Sequence, residues 1–377
     1  MRVLIIGRGY PDSGDFMYGI FEYQQAKVLS NFVNVIYLAL DFRMRANGRK
    51  YGLTRCVENN GKLSVVRVGF PCGRLPYYIH DRICILIIKK LFRYIEKKHG
   101  APDLIHVHFT ELAYIILKAL EREKDIPIII TEHSSKVYDK NLREAEKRRI
   151  KYVYENVDRV IAVSNALKNH IFEKYGMNAI CIHNMVDVEK FKFKKCKKGN
   201  IVVSVGNLVK IKRMDFLIKC FSNISSKISQ NLVIIGDGPE KENLYRIIRE
   251  EKLEGRVKLV GQKNQEEIRN YLNESDFFVS ASEHETFGVA CLEALASGIP
   301  VVATNSGGPR DYINDRNGII SSDLEMADAI KYMCENFGRY DGEFISKDIE
   351  KKFSKNNIAK EIIEVYKEIL NENKGKA

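Results

Sequence analysis

The chain has 377 residues, beyond the roughly 250 to 300 at which a single hydrophobic core usually stops growing, so two domains are expected. Its 45% apolar and 29% charged residues exclude a disordered, collagenous or coiled-coil chain and match a soluble globular composition. With 61 basic against 49 acidic residues the net charge is +12, which favours an anionic partner: a nucleotide, a phospholipid surface, a lipid pyrophosphate or nucleic acid.

From the first residue, the stretch 1–7 carries an apolar run too short for a signal peptide and reads as a first buried strand. Short continuous apolar runs follow at 33–38, 65–68, 104–108, 126–130 and 159–163, with helical patterns between most of them. Such alternation marks a parallel sheet and an α/β fold. Between the third and fourth runs, 82–98 has helical spacing with Ile83, Ile87, Leu91 and Ile95 on one stripe. Ile85, Leu86 and Phe92 lie off that stripe beside Lys89, Lys90, Arg93, Lys97 and Lys98, the pattern either of an ordinary packed helix with a solvated basic face or of one that lies on an anionic membrane surface. The longest strictly apolar run, 83–88, is far below the roughly 18 to 20 residues of a spanning helix.

Residues 191–198, rich in lysine and aperiodic, read as an interdomain linker between an amino-terminal domain at 1–190 and a carboxyl-terminal domain at 199–354. The second series of runs lies at 201–206, 232–236, 257–261, 277–280, 299–304 and 318–320. Two doubly wound sheets in tandem are expected, facing each other across a cleft at the carboxyl ends of their strands. The stretch 355–377, with Ile358, Ile362, Ile363, Tyr366, Ile369 and Leu370 at helical spacing, reads as a helix that packs back on the first domain. Eight cysteines without a Cys-x-x-Cys pair (Cys56, Cys72, Cys84, Cys181, Cys196, Cys220, Cys291 and Cys334) fit a reducing cytoplasm.

Gly7-Arg8-Gly9 opens like a dinucleotide fingerprint, but Asp12 stands where the third glycine belongs; Gly9 to Gly14 has P-loop spacing without the Lys-Ser/Thr that follows. His106 and His108 alternate on one strand and His133 follows the next. Three histidines could bind a metal, yet no Asp-x-Asp pair or carboxylate at ligand spacing accompanies them, and a structural role suits His106 and His108. The run from Val205 to Asp215 is a strand, a turn and a helix start carrying Lys210, Lys212 and Arg213. In the segment 282–300, a strand end leads through Glu285 to a helix that begins near Gly288 and stops at Gly298, with Glu293 inside it. The free amides of such a first turn suit a pyrophosphate, and acids on either side can accept hydrogen bonds from the hydroxyls of a sugar nucleotide.

Glu285 to Glu293 resembles the Glu-x7-Glu signature of the retaining GT-B glycosyltransferases of family 4, which act in capsule, exopolysaccharide and lipopolysaccharide synthesis and on phosphatidylinositol. Supporting segments are 160–164, 182–187 with Phe191, the Gly-x-Leu-x-x-x-Lys run ending at Lys212, Gly236-Asp237-Gly238-Pro239, 298–303 and Gly307-Gly308. The resemblance implies two Rossmann-like domains, an amino-terminal one for a saccharide or lipid-linked acceptor and a carboxyl-terminal one for a UDP- or GDP-sugar. It implies that Glu293 holds the ribose, Glu285 the donor sugar and Lys212 the diphosphate, that amides of Gly288, Val289 and Ala290 stabilise the leaving group, and that His133 touches the donor sugar from the other domain. Lys212, Glu285 and His133 are thus the catalytic candidates, in a hexosyltransferase needing neither metal nor cofactor.

Backbone groups near Gly261 and Gln262 are expected to read the base, and the loop carrying Gly14 and Gly19 to lie near the diphosphate or acceptor. Where relatives carry an arginine before the leucine of the cation loop, this chain has Asn207, so Lys210 or Arg213 must supply the second charge. The alternative that Asn207 keeps open is a catalytically silent subunit that activates a partner transferase. Expected partners are the donor, the acceptor and an anionic membrane at the inner face of the cytoplasmic membrane, and not nucleic acid.

Overall fold

The computed structural model describes residues 1–11, 18–43, 51–58, 61–72, 75–120, 126–139, 141–194 and 199–374. The chain divides into two compact units: Met1–Val163, Lys168–Ile182 and Ile358–Ala377 form unit 1, and Ser164–Leu167 with His183–Asn357 form unit 2.

Unit 1 runs through β1 (Arg2–Gly7), α1 (Ile20–Leu29), β2 (Asn34–Asp41), β3 (Gly52–Glu58), β4 (Leu63–Gly69), α2 (Tyr77–His99), β5 (Leu104–His108), α3 (Thr110–Leu120), β6 (Ile128–Glu132), α4 (Glu144–Asn156), β7 (Arg159–Ala162), α5 (Asn165–Tyr175) and β8 (Ile180–Cys181). The sheet order is β3-β4-β2-β1-β5-β6-β7-β8, parallel throughout except for β3, which pairs antiparallel with β4. Its inner strands are the apolar runs of the sequence, buried on both faces as parallel strands under helices must be. Strand β3 has no such run: it is an exposed edge strand with Arg55 and Glu58 among its residues, and therefore left no hydrophobic trace.

Unit 2 contains β9 (Ile201–Val205), α6 (Met214–Ile224), β10 (Asn231–Ile235), α7 (Lys241–Glu250), β11 (Val257–Leu259), α8 (Gln265–Glu274), β12 (Phe277–Ser280), α9 (Val289–Ala296), β13 (Val301–Thr304), β14 (Gly318–Ser321), α10 (Met326–Asn336) and α11 (Gly342–Phe353). All six strands are parallel, in the order β11-β10-β9-β12-β13-β14. Phe221, Phe277, Leu217 and Leu232, none with measurable exposure, centre a core shared by α6, β10 and β12. Helix α12 (Lys355–Lys374) begins in unit 2 and counts with unit 1 from Ile358 onward. There it buries Ile358, Ile362, Tyr366 and Ile369, and the Tyr366 hydroxyl lies 2.6 Å from His106 Nδ1.

Two expectations are corrected. The boundary between the units falls after Ile182, ahead of the lysine-rich stretch: Phe191 is buried, Val186 bridges to Ser354, and Asp187 pairs with Lys355, so 183–194 is packed structure of unit 2. Residues 195–198 of the expected linker lie outside the described residues. Helix α2 starts at Tyr77, and Phe92 is buried with Cys84, Ile88, Leu91 and Ile95, so its ring fills the core and cannot enter a lipid surface. The apolar arc is wider than a single i, i+4 stripe, as expected for a helix covering a sheet.

Candidate active site

In unit 2 the chain steps outward from β9 to β10 and β11, then returns to pair β12 with the other edge of β9. The strand order therefore reverses between β9 and β12. Loops leaving two such strands turn to opposite faces and open a crevice at their carboxyl ends. The loop after β9 carries Asn207, Lys210, Lys212 and Arg213, and the loop after β12 carries Ser282, Glu285 and Gly288.

The two loops are fastened together. The Glu283 N–H donates to the Ile211 carbonyl at 2.9 Å, Lys212 Nζ donates to Glu285 Oε1 at 2.5 Å, and the Ser282 hydroxyl donates to the same oxygen at 2.8 Å. Backbone bonds fix Glu285 further: its N–H donates to the Ser306 carbonyl and its carbonyl accepts from the Gly308 N–H. An ammonium and a carboxylate are thus presented together in a half-buried setting where charge is weakly screened.

Helix α9 starts directly behind this pair. Gly288 precedes it with φ of 85°, and a Cβ there would stand 2.8 Å from the Tyr312 hydroxyl and 3.0 Å from Pro309 Cγ, so only glycine fits. The Tyr312 hydroxyl lies 2.7 Å from the Gly288 carbonyl and 2.9 Å from that of Phe287, which locks the approach to the helix. The half-buried residues Val289 and Ala290 then present first-turn amides without intrahelical acceptors. Glu293 is also on α9; desolvation pushes its carboxyl up to about 8, with Lys190 opposing and Asp187 adding to the rise.

At the same sheet edge, Gly236 N–H donates to the Gly261 carbonyl at 2.9 Å. A Cβ on Gly236 would meet the Gly206 carbonyl at 1.9 Å, so the turns after β9 and β10 pack backbone to backbone, with Gly261 and Gln262 following β11 beside them. Asn207 is exposed and its carbonyl accepts from Val209 N–H. Arg213 is turned elsewhere: it grips both carboxylate oxygens of Asp323 at 2.9 and 3.1 Å and covers the Phe216 ring, which leaves Lys210 as the exposed cation of that loop.

In unit 1 the histidines stack, with His106 and His108 centroids 4.6 Å apart and those of His108 and His133 5.2 Å apart. They do not assemble a three-histidine metal site, because both ring nitrogens of His106 are engaged, Nδ1 with Tyr366 and Nε2 with Thr131. His108 Nδ1 meets His133 Nε2 at 2.9 Å. Desolvation lowers His106 and His133 to about 3, and Arg8, whose guanidinium covers Phe109, contributes to the shift of His133. All three rings are therefore neutral near pH 7.

Glu132, one residue before His133, is fully buried; it accepts hydrogen bonds from the Thr110 hydroxyl and from Ser134 N–H, and desolvation followed by the Glu111 charge pushes it up to about 7. No spacing in the sequence marks it, since an acid at a strand end reads as solvated until burial is known. Gly19 caps α1 in the left-handed region, and Gly14 lies outside the described residues.

Residues 45–190 match the family model Glycosyltransferase Family 4 and residues 185–340 match Glycosyl transferases group 1. The two matches together span most of the chain, and the chain belongs to the family-4 glycosyltransferases. N-acetyl-alpha-D-glucosaminyl L-malate synthase of Bacillus anthracis is 24% identical over 299 residues, covering 72% of this chain and 76% of that protein. Among solved structures, sucrose-phosphate synthase from Thermosynechococcus elongatus has a TM-score of 0.80 at 19% identity, covering 98% of this chain and 99% of that one. Anabaena HepE in complex with UDP and glucose has a TM-score of 0.73 at 17% identity, covering 98% of this chain and 100% of that one. The fold is GT-B, with two parallel-sheet α/β units.

Proposed function

We propose that the protein is a retaining, metal-independent hexosyltransferase that moves a sugar from a UDP- or GDP-sugar to a saccharide or lipid-linked acceptor in surface polysaccharide synthesis. The observation that carries the reading is the Lys212–Glu285 pair at the strand-order reversal of unit 2, directly ahead of the α9 amides.

In this reading the donor diphosphate takes Lys212 as its cation and lies against the amides of Gly288, Val289 and Ala290. Glu285 is then released to accept from sugar hydroxyls, and Glu293 accepts from the ribose. The anomeric C–O bond to the diphosphate breaks, a bond to the acceptor oxygen forms, and the acceptor's hydroxyl proton passes to the departing diphosphate or to solvent. Charge develops on the leaving group, where preorganised donors lower the barrier most. We assign His133 of unit 1 to the donor sugar on the strength of the family resemblance. Its neutral ring suits hydrogen bonding to a hydroxyl.

The test is incubation with a panel of UDP-, GDP- and ADP-sugars, following nucleoside diphosphate release and then the anomeric configuration of the product. Release from one donor class with a retained anomer supports the reading. Binding without release or transfer, with every acceptor class supplied, overturns it in favour of a silent subunit.

A further inference from the structure

We propose that Cys72, His80 and Cys84 form a binding site in unit 1 for a divalent thiophilic cation of the zinc class, which fastens the loop after β4 to the first turns of α2. The three side chains come from that loop and from positions i and i+4 of one helix face, and their ligand atoms all lie within 4.8 Å of one another.

Two of the three edges between these atoms match a tetrahedron around zinc, and the third, from Cys72 to His80, lies within 4.8 Å. With Zn–S of about 2.3 Å and Zn–N of about 2.0 to 2.1 Å, the sulfur–sulfur edge is about 3.8 Å and the sulfur–nitrogen edge about 3.6 Å. Cys72 Sγ lies 3.8 Å from Cys84 Sγ, and Cys84 Sγ lies 3.6 Å from His80 Nε2. Both sulfurs are buried while the His80 side chain keeps 22% exposure, so the imidazole side is where an ion and a fourth, exogenous ligand enter.

The surroundings of His80 are those of a metal ligand. Nδ1 stands 3.3 Å from Asp81 Oδ1, and the other Asp81 oxygen is held by Arg149 at 2.6 Å. A proton on Nδ1 shared with that carboxylate leaves the Nε2 lone pair toward the Cys84 sulfur, the carboxylate–histidine arrangement that orients metal-bound imidazoles. Charge also balances: two thiolates neutralise a divalent ion, so a buried complex carries no net charge. On the loop side, Cys72 N–H donates to the Phe42 carbonyl and Leu75 N–H to the Cys72 carbonyl, which sets the thiol against the helix. His80 also lines a cavity of about 100 Å³ walled by Tyr77, Asp81, Glu132 and Arg149.

The experiment is titration of the reduced, metal-free full-length chain with Co²⁺, followed by displacement with Zn²⁺, and it reads the metal itself, independently of transferase activity. The expected result is one equivalent of cobalt with thiolate-to-metal charge-transfer absorption and the intense d–d bands of a tetrahedral site, bleached mole for mole by zinc. C72S and C84S should each weaken binding at least about 100-fold, and D81N about 10- to 100-fold. H80Q should alter the d–d bands while the charge-transfer band persists, and C56S, at an exposed cysteine, should change nothing. Circular dichroism confirms that each variant folds. Absence of the thiolate band from the folded, reduced wild-type chain overturns the proposal. So does a band that survives in both C72S and C84S, or a cysteine pair that only loses two hydrogens to form a disulfide.

Discussion

Lys212 Nζ lies 2.5 Å from Glu285 Oε1 although the residues are 73 positions apart, and with the Glu283–Ile211 backbone hydrogen bond this contact joins the two loops at the strand-order reversal of unit 2. The pair neutralises itself in the free chain. A diphosphate that takes the lysine therefore leaves a carboxylate ready for hydroxyl groups.

Lys212→Ala should lower the transfer rate about 10²- to 10³-fold, because it removes a cation aimed at charge that develops in the transition state. The upper part of that range is expected, since Arg213 is held by Asp323 and Asn207 is neutral. Single-turnover kinetics at saturating donor measure it. A loss smaller than about fivefold would move the role to Lys210.

Glu293→Gln should cost about 1.5 to 3 kcal/mol of nucleoside diphosphate binding, the worth of a charged hydrogen bond to the ribose, whereas Glu285→Gln should impair the sugar and spare the free nucleotide. With Glu293 pushed up to about 8, only its ionised form accepts strongly, so wild-type affinity should rise as pH increases through about 8. Calorimetry from pH 7 to 9 decides the matter: equal losses for both variants, or a rise that persists in Glu293→Gln, would contradict this division of roles.

Burial of Glu132 has a consequence for stability. Its folded-state carboxyl titrates near 7 instead of the ordinary 4.5, so between those values the native chain holds a proton that the unfolded chain has lost. Glu132 therefore contributes a downward slope of stability from pH 4.5 to 7 that levels off above it, opposed below about 6.5 by His106 and His133, whose lowered titration makes the folded chain hold fewer protons than the unfolded one. Glu132→Gln should remove that slope, which denaturant melts at pH 5, 6, 7 and 8 would reveal; an unchanged slope means that other groups produce it.

Gly288→Ala places a methyl against the Tyr312 hydroxyl and demands a left-handed backbone from an L residue, so the start of α9 must shift. A loss of about 1 to 2 kcal/mol in stability is expected, together with weaker donor binding. Gly255→Ala, where nothing lies within 4 Å of the added carbon, is the control and should match wild type in both. Thermal melts and donor calorimetry on the two variants compare them directly.

Tyr78, Arg82, Leu86, Lys89, Lys90, Arg93 and Lys97 form the exposed face of α2, and no helix among the described residues is long and apolar enough to cross a membrane. Salt-sensitive sedimentation with anionic vesicles is expected, each basic side chain near the surface contributing roughly 1 kcal/mol. Leu86→Ser with Lys89→Ala and Lys90→Ala should weaken it. Phe92, buried in the core, has no part in it. Equal sedimentation with neutral vesicles at low salt would point to a soluble acceptor instead.

The sequence by itself determined the inner strands of the sheets and the position of the glycine-led turn that starts α9. Inner parallel strands such as β1, β5, β9 and β12 are buried on both faces and must be continuous apolar runs, and the helix after Gly288 needs glycine where no Cβ fits. Glu285 and Glu293 were legible because both lie on one continuous segment. Tertiary structure alone decided the rest. Edge strand β3 carries no apolar run, Phe92 reads as surplus until the width of the buried helix face is known, and the lysine-rich stretch lies beyond a boundary set by the packing of Phe191. The Lys212–Glu285 pair, the buried acid at Glu132, and the meeting of Cys72 with His80 and Cys84 each depend on which distant segments share a face, and chain spacing does not encode that distance.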